Sequence, residues 1–229
     1  MRNRITIHSM CRACLKINQK FVYAIFWLYN QKKRCNDKVF YFKKRMKRTL
    51  EEQRLEFCNQ KFLATPLAGI IVWTIIGFVG IYFSHFVSVW TIFIGTGSIV
   101  YLGLFLSKFT GENFLDKNKP KNEFDTLFLF TAGQAILVYS IAIPFFLADY
   151  TSLPMTVGIL TGLMWLPFSW IINHWVGIFH TLTRTISVVA LWYLLPEDRF
   201  IAIPFTIVLI YLFTLLILKN RKKSITTAP

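Results

Sequence analysis

Six long apolar stretches lie between residues 66 and 218, and they constrain the fold more than any other feature of the sequence. They occupy residues 66–83, 86–106, 125–147, 153–173, 175–195 and 200–218. Each approaches the roughly 20 helical residues that cross a hydrocarbon core of about 30 Å. The runs are apolar on every face, whereas a membrane strand needs only about ten residues of alternating polarity. Because lipid offers the backbone no hydrogen-bonding partner, helices that close their bonds internally are the expected state.

Buried helices of a water-soluble protein are the alternative explanation for these stretches. That explanation fails because six such helices need amphipathic helices to cover them, and the sequence supplies none. The composition agrees, with 55% hydrophobic and 17% aromatic residues against 16% charged residues. The predicted fold class is therefore all-α, a polytopic membrane helical bundle of six transmembrane helices, and the lipid bilayer is its first partner.

The connections between the stretches differ in charge on the two sides. Connections 84–85, 148–152 and 196–199 contain one basic residue, whereas the loop 107–124 contains four lysines. The N-terminal region and the C-terminal end belong to the side of that loop and are also basic. Positively charged residues favour the cytoplasmic side of a membrane. The sequence thus predicts a multi-pass protein of the cell membrane with both its N- and its C-terminus in the cytoplasm.

The chain divides by composition into four parts. These are a basic extension at 1–45, a cytoplasmic lead-in at 46–65, the transmembrane domain at 66–218 and a basic cytoplasmic tail at 219–229. The extension has one apolar run, at 21–29, which is too short to span and is typical of an interfacial helix. Met46 begins a conventional N-terminal sequence, so a second hypothesis is that residues 1–45 precede the native start.

Catalytic and ligand-binding motifs are scarce. Cys11 and Cys14 have the spacing of a metal or redox pair, but no second pair follows, so we predict no metal site and no cofactor. The sequence has no nucleophile elbow, zinc-binding His-Glu-x-x-His helix or phosphate-binding loop. The net charge is +15, but no motif for nucleic-acid recognition accompanies it. Nucleic acid is therefore not an expected partner, whereas anionic lipid is an expected one.

Prolines and small residues punctuate the stretches. Pro144, Pro167 and Pro204 lie inside apolar stretches, where each removes a backbone hydrogen bond and can kink its helix. Gly158 and Gly162 are four residues apart, a spacing that lets another helix approach closely. We interpret both features as packing signals.

The fifth stretch is unusual because polar side chains share one of its faces. On a helix, His180, Arg184 and Ser187 follow the spacing i, i+4, i+7. The candidate intramembrane site consists of these residues and the turn before them: Asn173, His174, His180, Arg184 and Ser187.

Arg184 decides between two interpretations of this site. It would lie roughly 14 Å along the helix from the inner turn, near the bilayer centre. An uncompensated cation there costs at least about 2.5 kcal/mol, so it needs a partner, for which Asp125 is the candidate, or a wet cavity. Alternatively, residues 173–184 form an interfacial turn in which an arginine costs little. Both interpretations stay open at the level of sequence.

Two functional classes fit such a polar stripe. The first is a membrane protein that handles a small solute or a lipid through the fifth span. The second is a non-catalytic membrane subunit whose polar residues pair with helices of a partner protein or of a second copy. An enzyme is not predicted, because His174 or His180 would have to act as acid or base without an evident nucleophile beside it.

Three segments carry a resemblance to a known family. They are residues 62–69 (FLATPLAG), 162–170 (GLMWLPFSW) and 174–180 (HWVGIFH). Over residues 54–218 the chain resembles a family of uncharacterised bacterial membrane proteins with about six helices, catalogued as a domain of unknown function. The resemblance implies a protein that starts near Met46 and makes the segment from His174 to Arg184 the first to mutate. It implies no activity.

Overall fold

The structure, a computed structural model, describes residues 48–112, 114 and 120–221 of the chain. The predicted extension at 1–45, with its cysteine pair, lies outside the described residues. A compact unit begins at Leu50. Its described residues form helices joined by short turns, without a strand, which confirms the predicted all-α fold.

Apolar sequence and short polar interruptions set the limits of the helices. A capping glycine, Gly111, adopts the left-handed conformation (φ 76°) after the longest helix, where residues with a side chain are disfavoured. In chain order the described α-helices are α1 Leu50–Cys58, α2 Ala64–Tyr82, α3 His85–Thr110, α4 Glu123–Leu137, α5 Tyr139–Ala148, α6 Leu153–Gly162, α7 Trp165–Ile172, α8 Val176–Leu194 and α9 Arg199–Asn220. A 3-10 turn, Tyr150–Ser152, precedes α6.

The chain passes back and forth between two ends of this unit. At the end that contains α1, which we call the α1 end, the Arg54 side chain donates to the carbonyls of Trp170 (2.5 Å) and Ile171 (3.1 Å). At the opposite end, Arg199 donates to the Thr151 hydroxyl at 2.6 Å. In chain order, the predicted stretches correspond to α2, α3, α4–α5, α6–α7, α8 and α9.

Two of the predicted stretches are not single helices. The third divides into α4 and α5 at Val138, and the fourth divides into α6 and α7 at Leu163 and Met164. Pro167 accounts for the second break, because its ring clashes with the carbonyl four residues earlier, which is that of Leu163. The break also places Pro167 in the first turn of α7, where its missing N–H has no partner to lose.

Five helical segments of the described chain are long and apolar enough to cross a membrane. They are Ala64–Tyr82, His85–Thr110, Glu123–Ala148, Tyr150–Ile172 and Arg199–Asn220. The predicted fifth span, now α8, is not among them, since His180, Arg184 and several threonines make it less apolar. These segments support a membrane protein.

Large apolar side chains cover the outer surface of the unit. Examples lie on α2, α3, α8 and α9, in the middle of each helix as well as at its ends: Ile71, Ile75, Ile94, Tyr101, Leu182, Ile186, Leu209 and Leu216. The interior contains polar as well as apolar groups, with Arg184 and His180 among its fully buried side chains. A surface of this kind suits contact with lipid better than contact with water.

Candidate functional site: a buried arginine centre

Arg184 lies inside the helix bundle with 0% of its side chain exposed. It is two turns from the start of α8, and its partners come from the helices packed against α8. Its Nη2 donates to the Thr161 hydroxyl on α6 at 2.9 Å, and its Nη1 donates to the Tyr211 hydroxyl on α9 at 3.1 Å. The guanidinium carbon lies 5.3 Å from the ring centroids of both Trp73 and Tyr211, which places a cation over two aromatic faces.

His180 lies one turn before Arg184 and is also 0% exposed. Its Nδ1 is 2.8 Å from the Thr214 hydroxyl oxygen, and that hydroxyl donates to the carbonyl of Ile210 at 2.8 Å. Because the Thr214 proton is used in this way, its oxygen accepts from the imidazole, and the proton of a neutral His180 belongs on Nδ1. The remaining ring nitrogen, Nε2, then acts as an acceptor 3.5 Å from Nη1 of Arg184.

Aromatic rings surround the two polar side chains. The Trp165 ring stacks on His180 with the centroids 4.5 Å apart and an angle of 24° between the planes. The Tyr211 ring meets His180 edge-on at 4.7 Å. We call the assembly the Arg184 centre, and its members are Trp73, Thr161, Trp165, His180, Arg184, Tyr211 and Thr214.

The Arg184 centre has more hydrogen-bond donors than acceptors. Three buried N–H groups lack a partner within the described residues: Nε of Arg184, Nε1 of Trp73 and Nε1 of Trp165. Hydroxyl and ring groups, and no carboxylate of the described chain, contact the guanidinium. A buried cation usually has a negatively charged partner, and a buried donor usually has an acceptor. The arrangement therefore favours an acceptor oxygen or a negative charge next to Arg184.

Glycines create the space that these large side chains occupy. A Cβ at Gly162 would lie 2.8 Å from Cδ of Arg184, and one at Gly69 would lie 2.5 Å from Cζ of Tyr211. Gly158 has the packing role expected of the glycine pair, since its Cβ would lie 3.2 Å from Cδ1 of Ile207 on α9. Gly162 has a second role, because it accommodates the side chain of Arg184.

The structure divides the sequence-predicted site into two groups. His180 and Arg184 belong to the Arg184 centre, while Ser187 is partly buried one turn further along α8 and makes none of the centre's hydrogen bonds. Asn173 and His174 form the turn between α7 and α8, where Asn173 ends α7 in the left-handed conformation (φ 49°).

The two interpretations of Arg184 depend on where residues 173–184 and Asp125 lie in the structure. Helix α8 begins at Val176, so most of residues 173–184 are helical, and the Arg184 side chain lies inside the bundle. Asp125 lies at the α1 end and accepts a hydrogen bond from Nε2 of Gln60 at 3.0 Å. The hydrogen bonds of Arg184 go instead to Thr161, Tyr211 and His180.

The partners of Arg184 and His180 on other helices are not evident from the sequence. Thr161 and Tyr211, which contact Arg184, and Thr214, which contacts His180, are polar residues within long apolar stretches, and this is the one signal that the sequence offers. Threonine and tyrosine are common in such helices, however, and their convergence depends on how α6, α8 and α9 pack together.

A second polar group, Glu112, holds the first long helix at the α1 end. One oxygen of its nearly buried carboxylate accepts from the backbone N–H groups of Leu63 (2.5 Å) and Ala64 (3.2 Å) at the start of α2. Burial raises the pKa of Glu112, and the two N–H groups oppose that shift. The contact joins the end of the α2–α3 hairpin to its beginning, as expected for a carboxylate at a helix N-terminus.

Comparison with known proteins assigns a family and no activity. A family described as "Family of unknown function (DUF7010)" matches residues 50–221. No curated protein and no solved structure matches the chain. In the part of the chain that the structure describes, no three His, Cys, Asp or Glu side chains lie together as metal ligands would.

Proposed function

The chain belongs to the DUF7010 family, which has no known function, and we propose that it is a six-span membrane protein that binds a small solute or the polar group of a lipid at the Arg184 centre. The excess of donors around a fully buried cation is the observation that supports this proposal. A ligand with a carboxylate or phosphate group would supply both the missing charge and the missing acceptors.

Helix α8, the predicted fifth span, is the span that this proposal adds to the five long apolar segments. Its outward face carries exposed apolar side chains, among them Leu182, Ile186 and Tyr193, while its polar side chains His180 and Arg184 face inward. A helix of this kind is stable in a membrane when its polar face is covered by neighbouring helices. With Arg184 about 12 Å from the start of α8, the centre would lie near the middle of the bilayer. The basic residues of the α1 end favour a cytoplasmic location for that end.

The alternative is a non-catalytic subunit whose polar intramembrane residues pair with another protein. Such residues would have to reach the outer surface of the bundle. The side chains of His180 and Arg184 point into the bundle. This direction favours binding of a ligand inside this chain over pairing with a helix of a partner protein. A subunit could still use the apolar outer surface, so the two proposals differ in what co-purifies with the protein.

Native mass spectrometry of the protein, purified from membranes and transferred to nanodiscs, tests the proposal. We expect a bound small molecule or lipid with an acidic group. In the Arg184→Gln variant the amount of bound ligand should fall about tenfold or more, since hydrogen bonds to charged groups contribute about 1.5–3 kcal/mol. Arg199→Gln is the matched control, because it removes a guanidinium from the opposite end.

A second variant covers the case in which Arg184→Gln does not fold. Trp165→Phe keeps an aromatic ring against His180 but removes the unpartnered indole N–H, so it should lower ligand retention while the protein stays folded. Equal retention by the wild type and both variants would contradict the proposal. A protein bound in stoichiometric amount, without a small molecule, would support the subunit alternative.

A further inference from the structure

A groove lies between the C-terminal end of α9 and the turn that joins α7 to α8. It has a volume of about 490 Å³ and is lined by His174, Leu216, Ile217, Asn220 and Arg221. We propose that it binds the phosphodiester headgroup of an anionic phospholipid, with the lipid's apolar part along α9. This inference rests on the proposed membrane insertion and is independent of the Arg184 centre.

Three donors at the rim of the groove suit a phosphate oxygen. Nδ1 of His174 accepts from the backbone N–H of Val176 at 3.2 Å, so the proton of the neutral imidazole is on Nε2, which can donate to a ligand. Burial and the charge of Arg221 both lower the pKa of His174, which favours this neutral form. Asn220 is exposed and adds an amide donor.

Arg221 supplies the positive charge and is held in place by the chain. Its Nη2 donates to the carbonyl of Cys58 and to that of Gln60, the latter at 3.2 Å. Its guanidinium carbon lies 5.5 Å from the ring centroid of Phe62. Within the described residues its hydrogen bonds use Nη2, so Nε and Nη1 remain as donors. One fixed cation with two neutral donors matches a phosphodiester, which carries a single negative charge.

The walls of the groove favour a lipid over free phosphate. Leu216 is exposed, and Ile217 partly so, on the apolar outer surface of α9, directly beside the polar rim. At the same end, Trp170 and Trp175 are 64% and 54% exposed. Tryptophans in such positions are typical of the headgroup region of a membrane, where basic side chains also attract anionic lipids. Polar donors above an apolar wall reproduce the polarity of a phospholipid.

Lipid retention in nanodiscs tests this inference. The probe is a bilayer of phosphatidylcholine with a minority of phosphatidylglycerol, and native mass spectrometry measures the phosphatidylglycerol that stays bound to the protein. Asn220→Leu leaves the net charge unchanged but removes a donor from the groove, so retention should fall about tenfold. Lys219→Gln removes a full charge from the neighbouring, exposed residue, which does not line the groove, and should lower retention less than Asn220→Leu does.

The outcomes separate the groove from general electrostatics and from the Arg184 centre. Equal retention by the wild type and Asn220→Leu, or an equal loss in Lys219→Gln, would overturn the inference. Displacement of the lipid by millimolar inorganic phosphate would also overturn it, because the apolar walls would then contribute nothing. Asn220→Leu should lower phosphatidylglycerol retention by the same factor in the wild type and in the Arg184→Gln background, so a failure of the Arg184 centre would not be confused with a failure of the groove.

Discussion

Arg184 shows how a bundle can hold a buried cation with neutral groups. Hydrogen bonds from a charged group contribute about 1.5–3 kcal/mol each, and a cation over an aromatic face adds about 2 kcal/mol when it is desolvated. Thr161, Tyr211 and Trp73 provide these contacts. They lower the cost of burial, but they leave the positive charge without a negative counterpart among the described residues. The residue is thus both a structural element and the strongest candidate for a binding role.

The first prediction concerns which residue is energetically coupled to Arg184. In double-mutant cycles, Arg184→Leu should couple to Thr161→Val by about 0.5–3 kcal/mol, because the two side chains share a hydrogen bond. Arg184→Leu and Asp125→Asn should be additive within about 0.5 kcal/mol, since Asp125 lies at the α1 end beside Gln60. The free energy of unfolding in detergent measures both cycles. A strong coupling between Arg184→Leu and Asp125→Asn would contradict this prediction and would support the ion pair that the sequence predicts.

The second prediction concerns the space beside Arg184. Gly162→Ala should lower the free energy of unfolding by about 1–3 kcal/mol, because the new Cβ would lie 2.8 Å from Cδ of Arg184 and displace the guanidinium from its partners. Gly133→Ala is the control, since a Cβ there meets nothing within 4 Å. On a helix it should be neutral or stabilise the protein by up to about 1 kcal/mol. Equal melting temperatures for the two variants would show that Arg184 is not confined as described.

The helices show how far apolar patterning determines this fold. The limits of α2, α8 and α9 lie within two residues of the predicted stretches, because each apolar run ends at polar residues or a short turn. The breaks at Val138 and at Leu163 lie inside the predicted apolar stretches, where the hydropathy does not mark a helix end, and Pro167 is the sequence feature that indicates the second of them. The i, i+4 spacing identified His180 and Arg184 as neighbours. Their partners on other helices depend on tertiary packing, which a single helical pattern does not contain.

The third prediction concerns the pH dependence of the contact between Glu112 and α2. Because burial raises the pKa of Glu112 above its ordinary value of 4.5, the folded state binds this proton more tightly than the unfolded state. The resulting stability is fully present below pH 4.5 and is lost as the pH rises through the raised folded-state pKa. Glu112→Gln stays neutral and can still accept from Leu63 and Ala64. Its stability relative to the wild type should therefore increase from acidic to neutral pH.

Melting temperatures measured over this pH range test the role of Glu112. Glu112→Ala removes the acceptor altogether and should cost about 0.5–2 kcal/mol, as expected for the loss of a helix cap. Glu197→Gln, at an exposed position of the opposite end, is the control for the loss of a carboxylate. If the difference between Glu112→Gln and the wild type is the same at every pH, the carboxylate does not titrate in this range.

At the scale of the whole unit, the two ends differ in charge as well as in structure. The α1 end contains Arg54 and Arg221, both hydrogen-bonded to carbonyl groups, and exposed lysines such as Lys61. The opposite end contains one basic residue among those described, Arg199, and the acidic residues Asp149, Glu197 and Asp198. Between the ends the outer surface is apolar. Charged ends with an apolar middle are the pattern of a membrane protein, and the asymmetry in charge between the ends predicts its orientation.

The last prediction is the orientation itself. In a background without Cys11, Cys14, Cys35 and Cys58, single cysteines at Ser84 and Glu197, which are exposed at the opposite end, should react with a membrane-impermeant thiol reagent added to intact cells. Cysteines at the exposed positions Lys61 and Lys219 of the α1 end should react only after the membrane is permeabilised, because the basic residues of that end favour the cytoplasmic side. Labelling of all four after permeabilisation is the control for accessibility. Since α8 and α9 meet at Glu197, the reactivity of this position also tests whether α8 crosses the membrane: if it did not, position 197 would be protected while position 84 reacted. Reaction of the cysteines at positions 61 and 219 in intact cells, with protection of those at positions 84 and 197, would show the opposite orientation. The proposed lipid groove would then lie on the outer face of the membrane.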